Sequence, residues 1–581
     1  MGTFTRKRVG GEKRIKIKIN KIKIKIKINM ANISFYGSHN SAVAIEENNK
    51  LICVIEVERF ISQKNAGYAQ YKISRTRPHL LLEIMDYIKE TYGISEFENC
   101  IFSNSDTIED EHMVKMCPVD ITIRKNGDNS FTQGYEKLIK AKNYYSILHH
   151  ESHAACGFYQ TNYETALIFS FDGGGSDGFF NIYHAENRKT IKKIGSHNMD
   201  LGFPYMVIAQ YLNDIRFENS LDNGVLIYPG KIMGLCSYGN LNKKWLPHFE
   251  NFYKSKPDGP TYAGMIKKLG DDIGIEFSIT NRIEGQISWD IAKTSQIAFE
   301  NVFFELTKEY IEKYPKIPII LVGGCALNIL LNTRMYNTYT KKKLLFNGDR
   351  RDVFIPPNPN DCGIAVGMLL NHVKPEKAID VTYSGIRILD KHTLMTCAEE
   401  RNHNLVNIEE IVSDLIDGKI IGVVRDTSEH GPRALGNRSI LCNPTYPEMK
   451  DILNKKVKDR EWYRPFAPVV RLEDVSKYFE FNGESRWMQF CPEVKKKWRK
   501  KLSSITHVDN TARVQTVTRE QNQWLYDLLT EFDKKTGIGV LLNTSFNVNG
   551  KPILSKYSEA FEVFDKTDMD RLLLQNIYFK K

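Results

Sequence analysis

The feature that most limits the fold of this chain is a strand–turn–strand pattern that occurs twice. From Ile33 the run ISFYG leads into SAVAIEENNKLICVIEVE, in which a polar turn joins two apolar runs, and ETALIFSFDGGGSDGFFNIYH repeats the theme around a glycine turn. Helical spacing of apolar residues follows the first copy over Pro78 to Tyr92 and the second over Ser288 to Tyr314. The repeat predicts a duplicated α/β unit with a ligand cleft between its lobes.

A second domain is predicted from the length and from a change in composition. A chain of 581 residues is longer than one hydrophobic core supports. After Leu370 the sequence becomes polar (HVKPEKAIDVTYSG), and a new strand-rich unit begins near Gly418 with GKIIGVVRD. We therefore expect a boundary near residue 390, with α/β domains over residues 30–385 and 395–581.

The positive charge of the chain is concentrated in its first 29 residues. The chain carries +11, but residues 1–29 hold eleven basic side chains against one glutamate, a net +10, so residues 30–581 carry only +1. The Lys/Ile alternation of this tail predicts a disordered low-complexity segment, with a basic targeting or anion-binding arm as the alternative. The near-neutral remainder gives no footprint for nucleic acid.

Cysteine usage and hydropathy indicate a cytoplasmic protein. Ten cysteines are scattered singly, without a CxxC pair, which is typical of a reducing compartment. No apolar run reaches the roughly 18 residues that a membrane-spanning helix needs. We expect no membrane partner.

A histidine pair is the first candidate for a metal site. In LHHESHAACGF, His149 and His153 lie four residues apart, so on a helix they face the same way and could share an ion. Such a pair in isolation is more often a surface or core pair. Asp361, in PPNPNDCGIAVG, is a candidate third ligand, and imidazoles with carboxylates suit iron(II), zinc or manganese.

Two glycine-rich segments are candidates for nucleotide contact. GGGSDG formally matches GxGxxG, but the aromatic run that follows does not open a helix, so the dinucleotide interpretation fails. The preceding Asp172 could instead approach a phosphate or its metal, while a plain glycine hairpin is the alternative. The chain has no GxxxxGK[ST] motif, and in GGCALN we expect Gly323 and Gly324 to let the backbone approach a nucleotide, with Asn328 as polar anchor.

The C-terminal domain has the densest pattern of polar motifs. RDTSEHGPRALGNRSI, VKDREWYRPFAPVV, HVDNTARVQTV and LLNTSFNVNGKPI each place basic or amide side chains among Gly, Pro and aromatic residues. Guanidinium groups that converge could hold phosphate oxygens bidentately, although scattered arginines alone are more often solvated. The candidates for this anion pocket are Arg433, Arg438, Lys458, Arg464 and Arg513.

Taken together, the motifs resemble those of the carbamoyltransferase family of nodulation proteins and antibiotic O-carbamoyltransferases, from about Met30 to the C-terminus. They are GSHNSAVAI, HHESHAA, FDGGGSDG, GKIMGLCSYG, GGCALN, NPNDCGIAVG, GPRALGNRSIL, REWYRPFAPV, HVDNTARVQ and NTSFNVNGKPI. The resemblance implies a duplicated actin-like N-terminal domain of the sugar-kinase, ribonuclease-H-like type and an α/β YrdC-like C-terminal domain.

The resemblance also implies an activity and a set of site residues. The C-terminal domain would convert carbamoyl phosphate and ATP to carbamoyl-adenylate, and the N-terminal domain would transfer the carbamoyl group to a hydroxyl of a sugar, glycolipid or secondary metabolite. The implied metal ligands, for Fe(II) or else Mn, Zn or Mg, are His149, His153, Asp172 and Asp361. The residues implied for carbamoyl phosphate or the adenylate are Arg433, Lys458, Arg464, Arg513, Asn543 and Ser545. His39 would lie beside the acceptor, and we interpret it as a general base.

Two other functions use related folds. Transfer of threonylcarbamoyl to tRNA is the nearer alternative, and the near-neutral charge of residues 30–581 argues against it. An inactive scaffold is the second, and the intact histidines, Asp361 and arginines argue against it.

Overall fold

The computed structural model describes residues 30–68, 73, 76, 77, 79–103, 139–216, 224–256, 262–341 and 351–581. The tail over residues 1–29, which the sequence predicts to be disordered, lies outside the described residues. Across the described ranges, no helix combines the length and apolarity that crossing a membrane requires.

The first sheet of the N-terminal domain has the order β3-β2-β1-β4-β5. The pairs β1–β2 and β2–β3 are antiparallel, whereas β1–β4 and β4–β5 are parallel. Its strands β1 to β5 are Asn32–Tyr36, Ala42–Glu47, Lys50–Glu56, Phe97–Ser103 and Ala141–Ile147.

The second sheet repeats this topology strand for strand. Its order is β10-β9-β6-β7-β8, with β6–β7 and β7–β8 antiparallel and β6–β9 and β9–β10 parallel. Strands β6 to β10 are Thr165–Gly175, Gly178–Glu186, Thr190–His197, Ile319–Val322 and Val353–Phe354. The duplicated, ribonuclease-H-like unit that the sequence predicts is therefore confirmed.

The C-terminal part contains one mixed sheet of eight described strands, in the order β11-β18-β17-β12-β13-β16-β14-β15. Only β12–β17 and β14–β15 are parallel among its described pairs. Strands β11 to β18 are His403–Leu405, Ile421–Val424, Arg438–Cys442, Ala467–Arg471, Gln515–Val517, Val540–Ser545, Arg571–Leu574 and Ile577–Lys580. The α/β class is confirmed here also, while the domain limits remain a prediction.

Helices cover the sheets and fill the space between them. In chain order, α1 to α17 are Val57–Phe60, Leu80–Tyr92, His149–Tyr159, Gly202–Ala209, Tyr228–Leu235, Leu246–Lys254, Ala263–Ile273, Gly285–Lys313, Ile329–Tyr336, Ile364–Val373, Thr393–Glu399, Ile408–Ile416, Met449–Ile452, Val475–Tyr478, Lys496–Arg499, Gln523–Thr536 and Tyr557–Lys566. The predicted helices near 78–92 and 288–314 correspond to α2 and α8, and Pro78 lies outside the described residues.

Helix α3 lies at the contact between the two N-terminal sheets. Small residues allow this close packing: a Cβ at Gly157 would come within 2.7 Å of side chains on β9, and one at Gly367 of α10 would lie 1.9 Å from the Ser152 carbonyl oxygen. A single buried cluster contains residues of α3, α10, β1, β2, β6 and β9. The helix that carries both candidate histidines is thus held from two sides.

Candidate active-site cavity

Helix α3 brings the two predicted metal-binding histidines together. His149 and His153 occupy positions i and i+4, so both rings leave the same face of the helix. Their ring centroids are 4.8 Å apart and their Nε2 atoms 3.2 Å apart. Both side chains are buried.

Two aspartates reach the histidine pair from separate elements. Asp172 lies in β6 just before the glycine turn, and Asp361 begins the short 3₁₀ turn that leads into α10. His153 Nε2 is 3.4 Å from Asp172 Oδ2 and also 3.4 Å from Asp361 Oδ1. His149 Nε2 is 3.6 Å from Asp361 Oδ1.

These four side chains fit a metal ion. Each offers one ligand atom, and the four atoms all lie within 4.8 Å of one another. The outer Nδ1 atoms of both histidines are buried without a hydrogen-bond partner among the described residues, so both rings direct Nε2 into the cluster. Two imidazoles with two carboxylates form a donor set that suits Fe(II), Mn(II) or Zn(II).

The charges of the cluster are strongly interdependent. Burial lowers the pKa of His149 to about 4. Burial also disfavours the charged form of His153, but hydrogen bonds to Asp172 and Asp361 outweigh it and raise the pKa of His153 to about 9. Burial alone would raise the pKa of Asp361, yet the surrounding histidines hold that pKa below its usual range.

Asp361 has two further neighbours, one of which the sequence did not indicate. The Tyr36 hydroxyl, at the end of β1, donates to Asp361 Oδ2 over 2.6 Å. His39 Nδ1 lies 3.3 Å from the same oxygen, and 35% of the His39 side chain is exposed. His39 thus faces open space while one ring nitrogen is held at the cluster.

The GGCALN segment supports Asp172 through its backbone. The Gly324 N–H donates to Asp172 Oδ2 over 2.6 Å, and a Cβ at position 324 would lie 2.8 Å from Asp172 Oδ1. Gly323 has a φ of +92° and packs against β6, where a Cβ would lie 2.1 Å from the Phe171 carbonyl oxygen. Asn328 caps α9 by accepting from the Leu331 N–H over 3.0 Å.

One cavity of about 330 Å³ extends from this cluster to the C-terminal part. At one end it is lined by His39, Asp172, Gly324, Asn328 and Asp361. At the other it is lined by Arg433, Lys458, Arg460, Arg464 and Ser545. The structure therefore places candidate residues from both parts of the chain around a shared space.

The far end of the cavity concentrates positive charge. Burial and the neighbouring Arg464 lower the pKa of Arg433 to about 10. Burial together with other guanidinium groups also depresses the pKa of Arg513 and of Arg460, which the sequence did not indicate. We call Arg433, Lys458, Arg460, Arg464 and Arg513 the basic cluster.

Lys458 is the most enclosed member of the basic cluster. Its Nζ donates to the carbonyl oxygens of Ser545 over 2.6 Å and Asn547 over 2.7 Å. Burial lowers the pKa of Lys458 well below its usual range, and the nearby cations Arg460, Arg464 and Lys64 lower it further. An anion bound here would offset this repulsion.

Three residues that were predicted to bind the anion or the adenylate lie outside the cavity lining: Arg438, Arg513 and Asn543. Arg438 was wrongly grouped with the anion pocket: it is fully buried on β13 and donates to the backbone carbonyls of Arg425, Asp426 and Asn437, so it supports the loop instead. Asn543 is also fully buried; its amide donates to the Ala434 carbonyl, next to Arg433. Asn543 and Arg513 are outside the cavity lining itself.

Comparison with known proteins finds family-model matches over most of the chain. Residues 30–370 match the family model described as Carbamoyltransferase N-terminus, and residues 412–581 match the one described as Carbamoyltransferase C-terminus.

Two curated relatives cover much of the chain. Nodulation protein NolNO of Sinorhizobium fredii is 30% identical over 576 residues, covering 94% of this chain and 79% of that protein. Nodulation protein NolO of Bradyrhizobium diazoefficiens is 32% identical, covering 74% and 78%. Among solved structures, T. kodakarensis HypF matches with a TM-score of 0.33 and 11% identity over 60% of this chain and 48% of that one, which is too weak a similarity to support a conclusion.

Proposed function

The chain belongs to the carbamoyltransferase family and is therefore a transferase, and from this premise we propose that it forms carbamoyl-adenylate at one end of the cavity and uses it at the other. The observation that carries the proposal is the continuity of the cavity, which joins the members of the basic cluster that line it to two of the four candidate metal ligands, Asp172 and Asp361. A reactive intermediate formed at one end can reach the other without release into water.

The basic cluster suits the first half-reaction. Hydrolysis of carbamoyl phosphate gives carbamate and phosphate. A carbamate oxygen then forms a bond to the α-phosphorus of ATP as the bond to pyrophosphate breaks. Both steps develop negative charge on phosphate oxygens, which Arg433 and Arg464 would stabilise as fixed cations, with Lys458 beside them.

The metal end suits the second half-reaction. We assign His39 as the general base: with Nδ1 held 3.3 Å from Asp361, Nε2 would take the proton of an acceptor hydroxyl. The acceptor oxygen then attacks the carbamoyl carbon, and AMP leaves. His149, His153, Asp172 and Asp361 would hold a divalent metal, most simply Fe(II), which would supply Lewis-acid stabilisation of the developing charge.

We propose a small-molecule hydroxyl compound as the acceptor. A cavity of about 330 Å³ matches a small ligand in size. The net charge of only +1 over residues 30–581 supports a sugar, glycolipid or secondary metabolite over tRNA. A cytoplasmic location is supported by the nine described cysteines, each of which is unpaired.

The direct test is the first half-reaction on the full-length protein. Given ATP, carbamoyl phosphate and a divalent metal, the protein should release pyrophosphate and form carbamoyl-adenylate. Arg464→Ala should abolish this release, while Lys192→Ala, at an exposed position on β8, should not change it. Absence of pyrophosphate release with Fe(II), Mn(II) and Mg(II) would refute the proposal.

The second half-reaction has its own test. His39→Asn should leave carbamoyl-adenylate formation intact and slow transfer to any accepted hydroxyl compound. Equal transfer rates for His39→Asn and the unmodified protein would exclude His39 as the base.

A further inference from the structure

One segment of the N-terminal domain touches both ends of the cavity. We call residues 56–67 the bridging segment; it contains the end of β3, helix α1 and the turn that follows. Glu58, Lys64 and Asn65 of this segment line the cavity. None of the family motifs quoted above contains these residues, so their position is a finding of the structure.

The bridging segment is fixed to the C-terminal part by a buried arginine. The Arg59 side chain, 1% exposed, pairs with Glu56 over 2.7 Å. Its two terminal nitrogens donate to the carbonyl oxygens of Glu429 and Gly431, the residues that lead into Arg433 of the basic cluster. In return the Ser555 hydroxyl donates to the Arg59 carbonyl oxygen over 2.6 Å.

The same segment is fixed to the loop that carries His39. The Ser41 N–H donates to the Ala66 carbonyl oxygen over 3.1 Å, and the Asn40 side chain donates to Asn65 Oδ1 over 3.3 Å. Gly67 packs so closely that a Cβ there would lie 1.9 Å from the Ser38 carbonyl oxygen. The segment is therefore a rigid connection between the two candidate half-reaction centres.

Lys64 stands where this connection meets the basic cluster. It lines the cavity together with Lys458, and its charge is close enough to Lys458 to act on it electrostatically. Lys64 thus adds an N-terminal cation to an anion site that is otherwise built from the C-terminal part. A lysine ammonium acts as a point charge toward phosphate, so it does not need the fixed geometry of a guanidinium fork.

We propose that Lys64 contacts the phosphate groups of the donor nucleotide, and that Arg59 positions it by docking the bridging segment onto the C-terminal part. The anion site is complete only when both parts of the chain contribute. This inference rests on the proposed function for the identity of the donor alone, because any polyphosphate would meet the same charges.

Pyrophosphate is the probe that tests the inference, by calorimetric titration of the full-length protein. Lys64→Ala should weaken pyrophosphate binding about tenfold, since it removes one charge-assisted contact to the anion. Lys64→Arg should retain most of the affinity. Lys192→Ala, which removes an exposed lysine on β8, is the matched control and should leave the affinity unchanged.

The role of Arg59 is tested by whether the effects of substitutions at Arg59 and Lys64 on pyrophosphate affinity add. Arg59→Lys keeps the charge beside Glu56 but loses the fork that reaches Glu429 and Gly431. This variant should weaken pyrophosphate binding as Lys64→Ala does, and the double variant should bind no more weakly than either single one.

Three results would overturn the inference: normal pyrophosphate affinity in Lys64→Ala, an equal loss in Lys192→Ala, or additive effects of Arg59→Lys and Lys64→Ala. Lys64 is exposed in a turn, so Lys64→Ala should fold normally. Thermal unfolding of the variant verifies this. If pyrophosphate binding depends on Lys64 and the protein forms no carbamoyl-adenylate, the inference stands and the proposed function fails.

Discussion

Replacing Tyr36 with Phe should weaken metal binding without disturbing the fold. The Tyr36 side chain is buried at 2% exposure, and its hydroxyl donates to Asp361 Oδ2 over 2.6 Å. Its ring packs edge-on against His149, with the centroids 5.9 Å apart, and a phenylalanine ring would keep that contact. The substitution therefore removes one hydrogen bond to a candidate ligand and leaves the candidate ligands in place.

The expected size of the effect follows from the position of this hydrogen bond. Loss of an outer hydrogen bond to a ligating side chain typically lowers metal affinity about 10- to 100-fold. That range corresponds to about 1.4–2.7 kcal/mol of binding free energy. Without the hydroxyl, Asp361 Oδ2 keeps only its contact with His39 among the partners described above, so this oxygen is held less firmly while Oδ1 stays beside the two histidines.

The assay is a competition titration of chelator-treated, full-length protein with Fe(II), Mn(II) or Zn(II). Tyr159→Phe is the matched control: Tyr159 is also buried, lies on the same helix as His149, and loses a hydrogen bond to the Arg188 carbonyl oxygen. Unchanged affinity in Tyr36→Phe, or an equal loss in both variants, would refute the assignment of Asp361 as a ligand supported by Tyr36.

Three further predictions follow from the same contacts. Metal affinity should rise about tenfold per pH unit up to about pH 9, because His153 must lose a proton before it can bind a metal. Burial disfavours the charged form of His153, but its contacts with the two aspartates outweigh burial and raise its pKa to about 9. Calorimetry in buffers of different ionisation enthalpy counts the released proton, and a pH-independent affinity would contradict the prediction. Lys231→Met should lower the free energy of unfolding by about 3–5 kcal/mol, since the buried carboxylate of Glu461 would lose its cationic partner at 2.8 Å. Denaturant unfolding measures this change, and a value near zero would show that the pair contributes little. Gly367→Ala should lower the free energy of unfolding by about 1–3 kcal/mol and weaken metal binding, because the new Cβ would displace Ser152 and with it helix α3. Unaltered metal affinity would show that α3 does not move.

Local geometry explains which parts of the site could be predicted from the sequence. The histidine pair followed from spacing alone, because a helix fixes the directions of positions i and i+4. The approach of Asp361, more than 200 residues away, depends on how β6, α3 and α10 pack, so the sequence indicates Asp361 only as a candidate third ligand. Repeated hairpins likewise predicted the duplicated sheets, whose register is set within each hairpin.

The arginines show where sequence reasoning ends. Arg433 and Arg438 are five residues apart in one motif, yet one lines the cavity and the other is fully buried among backbone carbonyls. The difference arises because β13 begins at Arg438, whereas Arg433 precedes it in the loop. Arg460 was missed although it lies four residues before Arg464, and Lys64 lines the cavity on a segment whose Arg59 donates to the Glu429 carbonyl oxygen of the C-terminal part.

The distribution of charge in the cavity supports two ligands of opposite sign. Asp172 and Asp361 lie against His153 at one end of the cavity. The basic cluster lies at the other end, where Glu461 is 3.6 Å from Arg464. Hydrogen bonds hold both aspartates at their own end of the cavity: Asp172 accepts from the Gly324 N–H, and Asp361 accepts from the Tyr36 hydroxyl. Because like charges held close together repel one another and a bound counterion offsets that repulsion, this arrangement favours a cation at one end and an anion at the other.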